Sequence, residues 1–358
     1  MENGIFDGLH LLDLALQGRW NEALYWARRF PHELVTTNED GMTALHFSAI
    51  DSLEYHSHIH LLLLRVNQDY IKRACLIQDN SGNTPLSSAA ACFASSEKIQ
   101  AFIDVCPEAV SLRNNFGDTC LHHICAQARG GYSTLRRALA RAEMMLEVDP
   151  ALARACDNTG LTPIHVLCHN YEDNLESYWL SKEPDVQLGI LRIDVDGLWL
   201  FFDTLLRAAA YVRSGNALHG IVSMPHPPSP LAMFACRRFP EIEKEQDEDG
   251  NTPLHLAVQR QSFDIVGFLA SRFPDCASIL NNNGESALHL ATRSFPSFNR
   301  SLFLLIRARP HLLAGVLGEL DNAALYPFLL RNLLKYDPMD GAPAVFDVQK
   351  RNTLFCTM

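Results

Sequence analysis

Long apolar runs are missing from this chain. LWLFF at 198–202 is typical of those present, and it falls far short of the roughly 20 residues that a membrane-crossing helix needs. A surplus of positive charge is missing too. Thirty Lys and Arg stand against 41 Asp and Glu, a formal net charge of −11. That balance excludes broad attraction to nucleic acid or anionic membrane, which needs clustered cations. The first residues, MENGIFDGLHLL, have neither the basic start nor the apolar block of a secretion signal. A cytoplasmic location is the expectation, with the nucleus as the alternative. The ten cysteines are scattered, mostly inside apolar stretches, and read as reduced core thiols, not a disulfide frame.

The common catalytic signatures are also lacking. No phosphate-cradling glycine loop, nucleophile elbow or paired-histidine zinc helix occurs. Asp194, Asp196 and Gly197 resemble part of a calcium loop without its later acidic ligands. They are read as a turn. No catalytic residue, cofactor or resident metal is therefore expected.

What the chain does have is repetition. Six segments align on one glycine: NEDGMTALHFSA, DNSGNTPLSSAA, NNFGDTCLHHIC, DNTGLTPIHVLC, DEDGNTPLHLAV and NNNGESALHLAT. The glycines are Gly41, Gly82, Gly117, Gly160, Gly250 and Gly284, spaced by 41, 35, 43, 90 and 34 residues. Five of them have a proline ten residues earlier: Pro31, Pro107, Pro150, Pro240 and Pro274. Self-similarity at this period signals stacked supersecondary units.

Each repeated residue has a local task. Glycine preceded by Asp or Asn suits a tight turn that needs positive φ. Thr43, Thr84, Thr119, Thr162, Thr252 and Ser286, two residues on, are good helix N-caps. Pro85, Pro163 and Pro253 follow at the first helical position, where a missing N–H is harmless. After a short polar turn, Phe263, Ile265, Val266, Phe268 and Leu269 continue at helical spacing. One unit thus reads turn, helix, turn, helix, extended return.

These units resemble ankyrin repeats, whose period is 33 residues and whose helix start reads T-P-L-H-x-A. Thr252 to Leu269 follows that pattern, except that Gln261 and Ser262 stand where Gly-His is usual. The proline-anchored return is similar in style to divergent ankyrin proteins abundant in diatoms and related algae. Clear units span about residues 15–170 and 236–310. The resemblance implies an all-α solenoid of helix-turn-helix units with protruding turns and degenerate caps. It divides the chain into a cap and four repeats (1–170), an enlarged unit with an inserted segment (171–235), and C-terminal repeats with a degenerate cap (236–358).

It also implies roles for residues. His46, His122, His165, His255 and His289 sit at helix starts and bond to a neighbouring turn. Ser87 takes that place in the second unit and predicts a looser turn. The implied function is a non-catalytic protein-interaction scaffold that holds a partner on a concave face of turn tips and first helices. Small-molecule substrates, nucleic acid and membrane are not expected partners. The tips most open to a protein partner are Glu39 and Asp40, Asn80, Asn115 and Phe116, Asn158, Glu248 and Asp249, and Asn282. The acidic run from Glu241 to Asp249 predicts a partner with a basic segment, by charge complementarity. Phe116, an apolar ring on a polar tip, either anchors an interface or packs on the adjacent turn.

Other readings stay open. The array could serve as a regulatory or substrate-recruiting subunit of an enzyme complex, such as a ubiquitin ligase adaptor. His56-Ser-His-Ile-His60 could hold zinc from a strand, but its position suits a polar turn between helices. Cys120, His122, His123 and Cys125, and likewise His165, Cys168 and His169, do not form a zinc-finger spacing. Arg136, Arg137 and Arg141 predict a solvated basic face. In the inserted segment, Leu198, Phe201, Leu205, Leu206 and Ala209 form a stripe that fits a core or a partner groove, and Leu218-His219-Gly220 looks like a relic of the Leu-His start.

Overall fold

In a computed structural model of the protein, residues 10–51, 63–92, 94–129, 132–171, 175, 195–211, 216–294 and 300–308 are described. The His56–His60 run, Asp194, the loop part of the inserted segment and the C-terminal cap lie outside them. The described residues are helical, with no strand among them. They fall into two compact units, one holding the helices up to residue 209 and the other those from residue 210 onward. The fold is an all-α repeat fold.

In the first unit, α1 (Leu11–Leu16) and α2 (Trp20–Arg29) form a hairpin, and α1 packs on α3 (Ala44–Ile50). Trp20, buried in this hairpin, donates its indole N–H to Asp51 Oδ2 at 2.6 Å, which ties the hairpin to the end of α3. The repeats then alternate a short and a longer helix: α4 (Gln68–Leu76), α5 (Pro85–Ala91), α6 (Ser96–Val105), α7 (Cys120–Gln127), α8 (Tyr132–Val148), α9 (Pro163–Asn170) and α10 (Val195–Ala208). Short helices stack on short ones, α3 on α5, α5 on α7 and α7 on α9. The longer helices form a second row, α4 on α6, α6 on α8 and α8 on α10. The core runs between the rows. Leu45, Leu86, Leu121 and Ile164 fill it from one row and Ile71, Phe102, Leu135 and Phe201 from the other.

The local causes are legible. Pro85 and Pro163 open α5 and α9 at the position where no N–H is needed. Pro31, Pro107, Pro150 and Pro274 each open a five-residue 3-10 turn after a longer helix. The return is therefore extended only after that turn. Proline presets φ near the helical value, so the chain makes one tight turn first and buries Leu34, Val110, Leu152 or Cys276 there.

The stripe in the inserted segment is core. Leu198, Phe201, Leu205, Leu206 and Ala209 are at most 1% exposed, and α10 packs on α8 as the longer helix of the fourth repeat. Arg141 departs from the solvated face expected of its patch. It is 4% exposed on α8, and burial, with Arg137 beside it, holds its guanidinium below the usual arginine range. Lys98 on α6 is also buried. Its Nζ donates to the carbonyls of Ser48 and Asp51, both at 2.8 Å, and so satisfies the end of α3.

The second unit follows the same plan. It contains α11 (Ala217–Val222), α12 (Ser229–Arg238), α13 (Pro253–Gln259), α14 (Phe263–Arg272), α15 (Ala287–Ser294) and α16 (Arg300–Ala308). α11 stacks on α13 and α13 on α15, while α12, α14 and α16 form the other row. Leu218-His219 is thus the start of a helix pair, with Asn216 at the N-cap of α11 and α12 packed against it.

Candidate functional site

The turn tips are built from the residue three before each glycine. Asp247 Oδ1 accepts the N–H groups of Asp249 (3.0 Å) and Asn251 (2.8 Å), and Asp157 Oδ1 accepts those of Thr159 and Leu161 at 2.8 and 2.9 Å. These side-chain bonds hold the hairpin-like turn that the backbone closes from Asp247 N to the Asn251 carbonyl. Gly250 sits at φ +75°, in the left-handed region, and a Cβ there would meet Asn282 N at 2.6 Å. Both conformation and close approach therefore require glycine. Gly41, Gly82, Gly117, Gly160 and Gly284 share the positive φ.

Consecutive tips are tied by a ladder of asparagines. Asn80 donates its backbone N–H to the Asp40 carbonyl and its Nδ2 to the Glu39 carbonyl, at 2.8 and 2.9 Å. Asn115 repeats this on Ser81 and Asn80, Asn158 on Phe116 and Asn115, and Asn282 on Asp249 and Glu248. Two glutamines add a second rung. Gln246 Nε2 donates to the Gly250 and Leu280 carbonyls, and Gln78 Nε2 to those of Gly82 and Arg113.

Beneath the tips, histidines join each helix start to the next turn. His46 Nδ1 accepts the Thr43 N–H at 3.0 Å and its Nε2 meets the Asn83 carbonyl at 3.0 Å. His122 does the same with Thr119 and Leu161, and His255 with Thr252 and Glu285. His219 joins the set, with Nδ1 accepting from Asn216 N and Nε2 on the Asn251 carbonyl at 2.9 Å. A backbone N–H on Nδ1 and a carbonyl at Nε2 fix the neutral tautomer with the proton on Nε2. Burial lowers the pKa of all four rings, opposed by the bond to the carbonyl. His165 and His289 show the same cap contact, from Thr162 N and Ser286 N.

Ser87 keeps the cap, accepting from Thr84 N at 2.6 Å, but its hydroxyl turns back to the Thr84 carbonyl and makes no bond to the next tip. That joint is held instead by Asn115 and Gln78.

The histidines are thus structural ties. No group of three His, Cys, Asp or Glu side chains among the described residues could hold a metal. Cys120 and Cys125 are fully buried in α7, and burial pushes the Cys120 thiol up to about 12 and Cys125 upward as well.

All nine residues expected to meet a partner are exposed: Glu39, Asp40, Asn80, Asn115, Phe116, Asn158, Glu248, Asp249 and Asn282. The structure divides them by what their side chains do. The amides of Asn80, Asn115, Asn158 and Asn282 are committed to the ladder. The carboxylates of Glu248 and Asp249 make no hydrogen bond or ion pair among the described residues. Phe116 is 66% exposed, so its ring is not covered by the adjacent turn. Leu161 and Leu280 add exposed apolar surface near the tips that periodicity did not single out. His219 was open to sequence reasoning through Asn216, a good N-cap three residues before it.

Against known proteins, no curated sequence matches this chain. The family model described as ankyrin repeats (3 copies) matches residues 228–308. That span covers α12 to α16, and residues 228–308 are therefore an ankyrin-repeat region.

Proposed function

We propose that the protein is a non-catalytic interaction module that binds a partner protein on the face formed by turn tips and first helices. Ankyrin repeats support a protein-interaction role in general. The observation that carries the finer reading is the contrast at the tips. The ladder and the buried histidines fix the backbone of each tip, while Phe116, Glu248 and Asp249 project unused side chains from it. Rigid backbone with free side chains lowers the ordering cost of binding. The acidic tip in the second unit favours a partner with a basic segment. The nine free cysteines among the described residues fit a reducing compartment, cytoplasm or nucleus.

The test is affinity capture from a lysate of the source cells, read by mass spectrometry. One bait is the full chain. The other carries Phe116→Ala with Glu248→Lys and Asp249→Lys. Partners that are lost with the second bait, with its melting unchanged, support the reading. An identical set on both baits removes the tips as the site.

A further inference from the structure

Four hydroxyl side chains stand directly before a proline: Thr84, Thr162, Ser229 and Thr252. Their surroundings differ. Thr84, Thr162 and Thr252 are at most 1% exposed, and each Oγ1 is held within its own cap, by Ser87 Oγ at 3.0 Å, His165 Nδ1 at 2.7 Å and His255 Nδ1 at 2.7 Å. Ser229 is partly exposed, and its hydroxyl makes no hydrogen bond among the described residues.

The backbone at Ser229 is weakly held as well. Pro225 and His226 are exposed in the loop before it, and Pro228 is extended, with φ −71° and ψ 118°. Ser229 then opens α12 in helical conformation although Pro230 follows, and a residue before proline is pushed towards extended backbone. The first turn closes on the Pro228 carbonyl, which accepts the N–H groups of Leu231 and Ala232 at 3.2 and 3.3 Å, the long end of the normal range. Pro230 has no N–H to add. Releasing those two bonds lets Ser229 and Pro230 run extended, and the buried part of α12 begins only at Leu231.

An accessible hydroxyl followed by proline, on backbone that opens locally, is what a serine/threonine kinase of the proline-directed class can take. We infer that Ser229 is a phosphorylation site for such a kinase. In the transfer, a bond forms between Ser229 Oγ and the γ-phosphorus of a nucleoside triphosphate. The bond from that phosphorus to the bridging oxygen breaks, and the nucleoside diphosphate leaves. The hydroxyl proton passes to the catalytic aspartate of the kinase. The product carries about −1.5 to −2 charges at the start of a helix of 10 residues, whose positive end favours an anion. At the three threonines the same group would have to displace a buried cap.

The experiment incubates the full chain with a proline-directed kinase and magnesium ATP and follows each site by mass spectrometry. Synthetic peptides spanning the four sites give the rate for unstructured substrate. Relative to its own peptide, Ser229 in the full chain is expected to be modified at least about tenfold faster than any of the three threonines. Pro230→Ala should slow that modification severalfold, and Ser229→Ala, with melting unchanged, should remove it. Absence of phosphate at Ser229, in chain or peptide, overturns the inference. So does a Ser229 rate as low as those of the buried threonines, or an undiminished rate in Pro230→Ala.

Discussion

His255 Nε2 meets the carbonyl of Glu285 at 3.0 Å while its Nδ1 accepts the N–H of Thr252, so one ring caps its own helix and fastens the next turn. His255→Ala leaves both backbone groups without their buried partner. It is expected to lower stability by about 1–3 kcal/mol, measured by urea unfolding. His255→Ser reproduces the arrangement at Ser87, keeping the cap and losing the tie, and is expected to cost less than alanine.

The same rings set a pH dependence. Burial lowers the folded-state pKa of His46, His122, His219 and His255 below the unfolded value of about 6.5. The unfolded chain then binds more protons than the folded one as pH falls through that value, so stability drops on the acid side. Thermal melting is expected to be level above about pH 7.5 and to fall progressively below about pH 6.5. His255→Gln should reduce the slope. A melting temperature flat down to pH 5 would contradict the neutral-ring assignment.

Two glycines with the same φ of +75° have different surroundings. A Cβ at Gly250 would strike the Asn282 backbone, whereas one at Gly284 meets no described residue within 4 Å. Gly284→Ala is expected to cost about 1–2 kcal/mol, the strain of left-handed backbone alone. Gly250→Ala should cost clearly more, because the next tip must also shift. Parallel denaturant curves check the order.

Lys98 satisfies two carbonyls at the end of α3 from a position 3% exposed. Lys98→Met removes the charge and keeps most of the volume, but it orphans both carbonyls. A loss of about 1–3 kcal/mol is expected. Hydrogen exchange near Ser48 and Asp51 should quicken with it.

Phe116→Ala is expected to leave melting unchanged, since the ring is mostly exposed, and to weaken partner capture. Altered melting would place the ring in the fold instead of the interface.

The repeat units, the helix starts and the tip positions were legible because their bonds are short in sequence. A cap residue and the group three residues on, or an aspartate and the N–H groups two and four residues later, meet whatever the rest of the chain does. Thr252 with His255, and Asp247 with Asn251, are of this kind. The burial of Arg141 and Lys98 was not legible, because polar residues at helical spacing look solvated until a neighbouring repeat covers them. The pairing of Asn251 with Asn281 was equally hidden, because the two stand thirty residues apart. What the sequence by itself determined is the unit: its turn, its caps and its two helices. Only the tertiary structure decided which tip side chains are spent on the neighbouring repeat and which are left over, because that depends on stacking partners 30 to 43 residues distant.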